Sequence, residues 1–249
     1  KVTIVKLANN KKSGTLQIPN KIDGSDVTKI EDFLGENNRI TKVIIPTNIE
    51  SISNVAFSGM GKLVEIEVSK LNKEYSSENG VLYNKEGTKL LAYPRGKEEK
   101  EYKIEETVKE IGEYAFYKNE KVEKIYIPDN IEKVSKTAFE EMKGQVYITE
   151  NSKVKSILTK EGIAYKIDKA PKVTKLTYNV GTNQSVVLTI EATDEEGIIA
   201  WSIVAKGNNE ENWQQISSTK SLKTTYDEIN QNGTYVLKVK DKAGNIGSK

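Results

Sequence analysis

Apolar and polar positions alternate along residues 125–127 and then recur at fixed spacings. Ile125 and Ile127 flank Tyr126, Pro128 follows, Ile131 and Val134 come next, and Ala138-Phe139 closes the segment. Residues 43–57 repeat this arrangement with Val43, Ile45, Pro46, Ile49, Ile52 and Ala56-Phe57, so that proline and phenylalanine stand 11 positions apart in both copies (46 to 57, 128 to 139). A third copy at 102–116 keeps Ile104 and Ala115-Phe116, and Ala115 precedes Ala138 by 23 positions. A period in the twenties predicts a solenoid, in which each turn of chain buries its apolar face only against its neighbours. Within a copy, alternation places Ile125 and Ile127 inward and Tyr126 outward. Proline ends the strand by withholding an N–H. The Ala-Phe pair is expected on a short helical turn, alanine allowing close approach and phenylalanine filling the space between layers. Phe57, Phe116 and Phe139 are therefore expected in equivalent buried layers.

Departures from the period locate the insertions. Val2, Ile4 and Leu7 open the chain, a turn is expected at 11–14, and a first repeat-type strand follows at 16–19. Ile18 to Ile45 spans 27 positions, and the excess over the period falls at a loop on Asp23-Gly24-Ser25. At 33–35 the Ala-Phe pair is missing, and Phe33 or Leu34 is expected to fill that layer. Val68 to Ile104 spans 36 positions, one period plus 13, and the excess holds two apolar runs flanking Asn84-Lys85-Glu86-Gly87, the pattern of a β-hairpin. After Phe139 come Val146-Tyr147-Ile148, a helical run at about 152–160 and a short strand at 163–167, as expected of a cap that closes the open end of the stack.

The pattern changes at 169–171. Beyond it Val186, Leu188, Ile190 and Ala192 alternate, then Trp201, Ile203 and Ala205, then Tyr235, Leu237 and Val239, with Asn, Gly and Asp turns between. Short alternating strands with such turns predict a β-sandwich, with Trp201 in its core and Tyr235 placed like a tyrosine corner. The expected division is a repeat domain at 1–169 and a sandwich domain at 170–249, so the fold class is mainly β with short helical turns.

Composition narrows the function. Hydrophobic content of 36% and charged content of 30% suit a thin solenoid with much surface. A net charge of +2 over 249 residues provides no long-range field for nucleic acid or acidic lipid. The chain has no Cys and no His, which removes disulfides, thiolate nucleophiles, the usual zinc sites and imidazole triads, and argues against an enzyme and against a cofactor. No apolar run approaches the roughly 18 residues of a spanning helix. The chain opens on a strand-like segment without Met, which reads as an excerpt of a larger protein, and its Lys- and Asn-rich, cysteine-free composition is compatible with a secreted bacterial surface protein.

The units Ile-Pro-x-x-Ile-x-x-Ile-x-x-x-Ala-Phe at 45–57 and 127–139, with Asn79-Gly80-Val81-Leu82-Tyr83 and Leu90-Leu91-Ala92-Tyr93-Pro94, resemble BspA-like leucine-rich repeats over roughly residues 1–168. Thr193-Asp194-Glu195-Glu196-Gly197-Ile198, and Asn232-Gly233-Thr234-Tyr235 running into Asp241-Lys242-Ala243-Gly244-Asn245, resemble the immunoglobulin-like modules of Gram-positive surface proteins. The resemblance implies a secreted or cell-surface protein that adheres to host matrix or to cells. It also implies a further strand after the Ala-Gly-Asn turn, where only residues 246–249 follow, and raises an isopeptide bond between Lys175 and Asn245.

Several other motifs have a bland reading. Ser152/Lys155 and Ser217/Lys220 satisfy Ser-x-x-Lys without its companion motifs. Glu105-Glu106 and Glu140-Glu141 are paired carboxylates, and Asp194, Glu195, Glu196 and Asp241 cluster oxygens that could ligate calcium. Ser and Lys are abundant enough for the first motif to be coincidence, adjacent acids on a solenoid are usually a solvated face, and surface turns account for the calcium candidates. The binding candidates come from the outward column Gln17, Ile44, Glu67, Lys103, Tyr126 and Tyr147, in which Tyr126 and Tyr147 beside Lys103 and Lys124 form an exposed aromatic patch with a cationic edge. The expected function is non-catalytic adhesion or recognition of a host extracellular-matrix or cell-surface protein or glycan. The alternative is a targeting or spacer module of a larger cell-wall or glycan-active enzyme.

Overall fold

Each repeat contributes two short parallel strands because its two apolar clusters, around Ile125 and around Val134 in the clearest copy, are separated by a proline turn. The computed structural model describes residues 1–5, 13–31, 39–180, 186–206, 208, 211–229 and 233–249. The expectations for Leu7, the start of the 11–14 turn, Phe33 and Leu34 lie outside these residues. Two compact units are present: Lys1–Tyr147 with Lys153–Lys166, and Ile148–Ser152 with Ile167–Lys249.

In the first unit one parallel ladder runs through β2 (Gly14–Gln17), β5 (Ile40–Ile45) and β7 (Glu65–Val68). It resumes as β11 (Glu101–Lys103), β13 (Lys124–Tyr126) and β15 (Gln145–Thr149), and the chain enters the second unit at β16 (Lys166–Asp168). A second ladder joins β1 (Val2–Ile4), β4 (Ser25–Ile30) and β6 (Ser51–Ile52), then β10 (Lys89–Ala92), β12 (Glu110–Ile111) and β14 (Lys133–Val134). The loop expected at Asp23-Gly24 is a two-residue hairpin turn between β3 (Lys21–Ile22) and β4, with both turn residues at positive φ (48° and 77°). The larger insertion is a three-stranded antiparallel meander of β8 (Tyr75–Glu78), β9 (Val81–Asn84) and β10. Its second turn is the expected hairpin, whereas β8 was not anticipated, since Tyr-Ser-Ser-Glu carries no apolar alternation. β10 rejoins the stack by pairing in parallel with β12. The helix α1 (Val154–Lys160) buries Val154 and Leu158.

The insertion also supplies a layer of the aromatic core. Tyr93 precedes Phe116 by one period and stacks on it at 5.2 Å, and Phe116 stacks on Phe139 at 5.3 Å. Tyr102 packs against Tyr93 and pairs its hydroxyl with that of Tyr83 at 3.0 Å. Burial pushes the Tyr83, Tyr93 and Tyr102 hydroxyls above the ordinary phenol range. Phe57 and Phe116 are buried as expected, but Phe139 is only half-buried, so the three layers are not equivalent. Asn72, fully buried, replaces backbone partners where the chain leaves the repeat: its amide donates to the carbonyls of Pro46 and Ile49, and its oxygen accepts from Glu74 and Tyr75 N–H.

Charges obey the same period. Lys42–Glu65, Glu98–Lys121, Lys100–Glu123, Glu101–Lys124, Glu110–Lys133, Lys118–Glu141 and Glu120–Lys143 are ion pairs whose partners stand one period apart. Glu110 sits between Lys89 and Lys133 on the strands either side. Partial burial pushes its carboxyl up, and the two lysines outweigh this and hold it below the ordinary glutamate range.

From Lys172 on, the strand pairings among the described residues of the second unit are all antiparallel. β18 (Val186–Ala205) pairs along its first half with β17 (Lys172–Val180) and with the later part of β19 (Gln214–Ile229). Past Gly197 (φ 114°) its second half pairs with the early part of β19 on one side and with β20 (Tyr235–Asp241) on the other, and β20 pairs in turn with β21 (Ile246–Ser248). Hydrogen bonding is therefore continuous through five strands, where two separate sheets were expected, and both halves of β18 contribute to one core. Leu188, Ile190 and Ala192 meet Ile198, Trp201, Leu222, Leu237 and Val239 there. Trp201 takes the core position assigned to it, edge-on to Tyr226 at 5.6 Å. A strand does follow the Ala-Gly-Asn turn. β21 requires glycine at 247, because a Cβ there would lie 1.7 Å from the Pro171 carbonyl oxygen.

Candidate ligand-binding surface

The outward column exists in register but in two pieces. Gln17, Ile44 and Glu67 are neighbours across β2, β5 and β7, and Lys103, Tyr126 and Tyr147 across β11, β13 and β15. The meander separates them. Tyr126 and Tyr147 lie together as expected, with ring centroids 5.5 Å apart. They are not displayed: Tyr126 is 2% exposed and Tyr147 7%. Alternation marks two faces of a strand but not what covers each, and here both faces of β13 are buried. The ammonium groups of Lys124 and Lys166 lie 5.7 and 5.9 Å from the Tyr147 ring centroid. Lys103 pairs with Glu106 at 3.3 Å, Lys124 with Glu101 at 3.6 Å, and Glu67 with Lys42 at 2.5 Å. Lys42 is held above the ordinary lysine range by hydrogen bonds to Glu65 and Glu67. The surface of the column is thus charged and internally paired, with the tyrosines beneath it.

The remaining candidates are structural. Ser217 and Lys220 are three positions apart on β19 and so face opposite sides of the strand, while Ser152 is buried ahead of α1 and Lys155 is exposed on it. Glu106 is engaged by Lys103, and Glu141 by Lys118 and by the Tyr117 hydroxyl at 2.9 Å, so neither acidic pair presents two free carboxylates. Asp194 accepts from the N–H groups of Glu196 and Gly197, and Asp241 from those of Gly244 and Asn245 and from the Asn245 amide. These oxygens thus serve their own turns, and among the described residues no group of three or more acids could hold a metal ion. Burial pushes the Asp241 carboxyl up, against the pull of its Asn245 and Gly244 hydrogen bonds. Lys175 reaches Glu191 at 3.9 Å and the Asn245 amide is bonded to the Asp168 carbonyl and Asp241, so the two are not brought together for an isopeptide bond. Among the described residues no helix is long and apolar enough to cross a membrane.

Sequence reasoning missed a cluster on the turn side of the repeats: Asn54, Arg95, Glu113, Tyr114 and Tyr117. The available signal was Gly112, which stands where the other two copies have Ser53 and Ser135.

Three solved structures of bacterial proteins are similar to part of this chain. A leucine-rich repeat protein from Eubacterium ventriosum is 29% identical with a TM-score of 0.47, over 55% of this chain and 35% of its own length. A leucine-rich cell surface protein from Faecalibacterium prausnitzii is 21% identical with a TM-score of 0.40, over 55% of this chain and 41% of its own. The pneumococcal vaccine antigen PcpA is 14% identical with a TM-score of 0.36, over 61% of this chain and 67% of its own. The chain therefore spans about a third of the first of these proteins. No curated protein matches the chain. Residues 8–86 and 95–161, more than half of the sequence, match the BspA type leucine rich repeat region in six copies, and the chain belongs to that family.

Proposed function

We propose that this chain is a non-catalytic recognition module of a secreted or surface-displayed bacterial protein. Its repeat unit binds a host extracellular-matrix or cell-surface protein or glycan, and its second unit, whose one long bent strand β18 folds a continuous sheet around a single core, is an immunoglobulin-like module that acts as a spacer. The observation that supports this most is the ladder of parallel strands, which presents side chains at intervals of about 4.8 Å in a chain with neither His nor Cys. Regular display of fixed side chains suits the gripping of an extended partner better than catalysis. Because Tyr126 and Tyr147 are buried, they serve as a rigid backing, and Lys103, Lys124 and Glu67 are the groups that can meet a ligand. The test is binding of the intact chain to matrix proteins and to cells, with the Lys103→Glu, Lys124→Glu double variant alongside. Loss of binding in a folded variant is expected. Undiminished binding would move the contact off this column, and turnover of any peptide, ester or glycoside would overturn the non-catalytic reading.

A further inference from the structure

The turn that carries Ala115-Phe116 differs from its two equivalents in a way the repeat does not demand. In the turns before Phe57 and Phe139, the hydroxyls of Ser53 and Ser135 accept from the N–H of Val55 and Thr137, two residues on. The third copy has Gly112 there, and it has little room for anything else: a Cβ at 112 would lie 3.0 Å from the Leu90 carbonyl oxygen of the inserted meander. Without that hydroxyl, Tyr114, the counterpart of Val55 and Thr137, takes a left-handed backbone (φ 57°) that neither counterpart adopts. Lys118 and Glu141 also have positive φ, but they occupy the same position one period apart and so belong to the repeat. A left-handed tyrosine is an outlier held by its surroundings, and such outliers gather where a side chain must be aimed.

The ring is aimed at Tyr117, edge to face, with centroids 5.4 Å apart. The Lys118 ammonium lies 5.0 Å from the Tyr117 centroid and takes one face of that ring, and both tyrosines are half-buried. Beside them is a notch of about 20 Å³, room for about one water, lined in part by Asn54, Pro94 and Arg95. Arg95 is fixed by its Nε on the Lys118 carbonyl and a terminal nitrogen on that of Ser58; its other terminal nitrogen makes no hydrogen bond among the described residues, while its charge also acts on the Glu120 carboxyl. Asn54 holds Glu113 at 2.9 Å, joining turns on either side of the insertion. Three cations, Arg95, Lys118 and Lys143, stand against three carboxylates, Glu113, Glu120 and Glu141.

We infer that this cluster is a binding site for a neutral pyranose unit of a glycan. Aromatic rings give a sugar's apolar face a surface to stack on, and fixed amide, guanidinium and carboxylate groups around them match its hydroxyls. The notch is too small to admit the ring, so the sugar lies across its mouth with one hydroxyl or hydroxymethyl group inside. The balance of local charge favours an uncharged saccharide. The inference rests on the reading of the repeat unit as a recognition module, names a ligand class, and adds to the strand column a second contact on the turns.

The experiment titrates the intact chain with cellotriose, maltotriose and an N-acetylglucosamine trimer, and with a sialylated trisaccharide as the charged control. At least one neutral probe binds. Tyr114→Gly, which suits the left-handed backbone, keeps or raises the melting temperature and weakens binding by at least about tenfold, or 1.4 kcal/mol. Tyr114→Phe, which preserves the ring, stays within about threefold of the parent. Absence of binding to every neutral probe, preference for the charged control, or unchanged binding by Tyr114→Gly would each overturn the assignment. Tyr117→Ala should also lose binding, and should it fail to fold, Tyr114→Gly still decides. Retained binding to matrix or cells by Tyr114→Gly that has lost no sugar affinity would leave the recognition module standing without this site.

Discussion

The two units of this chain are both built of strands but obtain their register differently. In the repeat unit a residue's neighbour is itself one period later: Lys100 meets Glu123, Tyr93 meets Phe116, Lys103 meets Tyr126. In the second unit the neighbour depends on where a long strand turns. β18 and β19 lose register in three places, around residues 187, 194–197 and 199, and no spacing in the sequence announces them. Translational order makes contacts along the stack readable, whereas an antiparallel unit keeps its information in its bends.

The most damaging change should be in the aromatic layers. Phe116→Ala, enclosed between Tyr93 and Phe139, is expected to cost about 3–5 kcal/mol, and Phe139→Ala clearly less, because Phe139 is half-buried. Urea unfolding of both variants measures this, and equal losses would mean that the layers are equivalent after all. Trp201→Ala should cost about 3–5 kcal/mol in the second unit. We propose that the units fold independently, so calorimetry should show the repeat transition unmoved by that change; a joint shift would refute independence.

Single polar side chains that complete the backbone come next. Asn72→Ala in the repeat unit and Asp241→Ala in the second each strand several hydrogen-bonded groups and should cost about 1–3 kcal/mol, the former in the first melting transition and the latter in the other. Smaller still is the effect of acid on Glu110. Its folded-state value lies below the ordinary 4.5, so its contribution is present above that pH and is lost as pH falls through the folded value. Glu110→Gln should remove that part of the acid sensitivity, at most about 1 kcal/mol, and an unaltered stability-versus-pH curve would show the lysine pairing to be inert. At the bottom of the scale, Lys100→Gln breaks a fully solvated pair and should leave the melting temperature unchanged.

The sequence made the stack legible because its apolar period is a direct consequence of inter-repeat packing. The ladder through Ile125 and its equivalents follows from it, as does the position of the insertion, whereas the second ladder, through Val134 and Ile111, reads in the sequence only as apolar residues turning back to the core. Three things were hidden. Covering of the outer strand face is not periodic, so Tyr126 read as exposed when it is buried. Ala92-Tyr93 is the Ala-Phe pair of a disguised repeat, and tyrosine followed by proline concealed it inside the insertion. Tyr114 was overlooked because its conformation depends on Gly112, and Gly112 on a carbonyl oxygen of the meander. That is a tertiary cause with only a missing serine as its trace.

The sign alternation of the ion pairs constrains how such a chain can lengthen. A tandem duplication of one repeat sets a copy beside its original, so lysine faces lysine and glutamate faces glutamate in every column where Lys100, Glu101, Glu110, Lys118 or Glu120 now meets its opposite. Like charges directly opposed on adjacent strands are unfavourable. Duplication of two repeats preserves the alternation in all these columns. Growth by pairs therefore leaves the lattice of charges intact, and growth by odd steps demands compensating substitutions at the new seam.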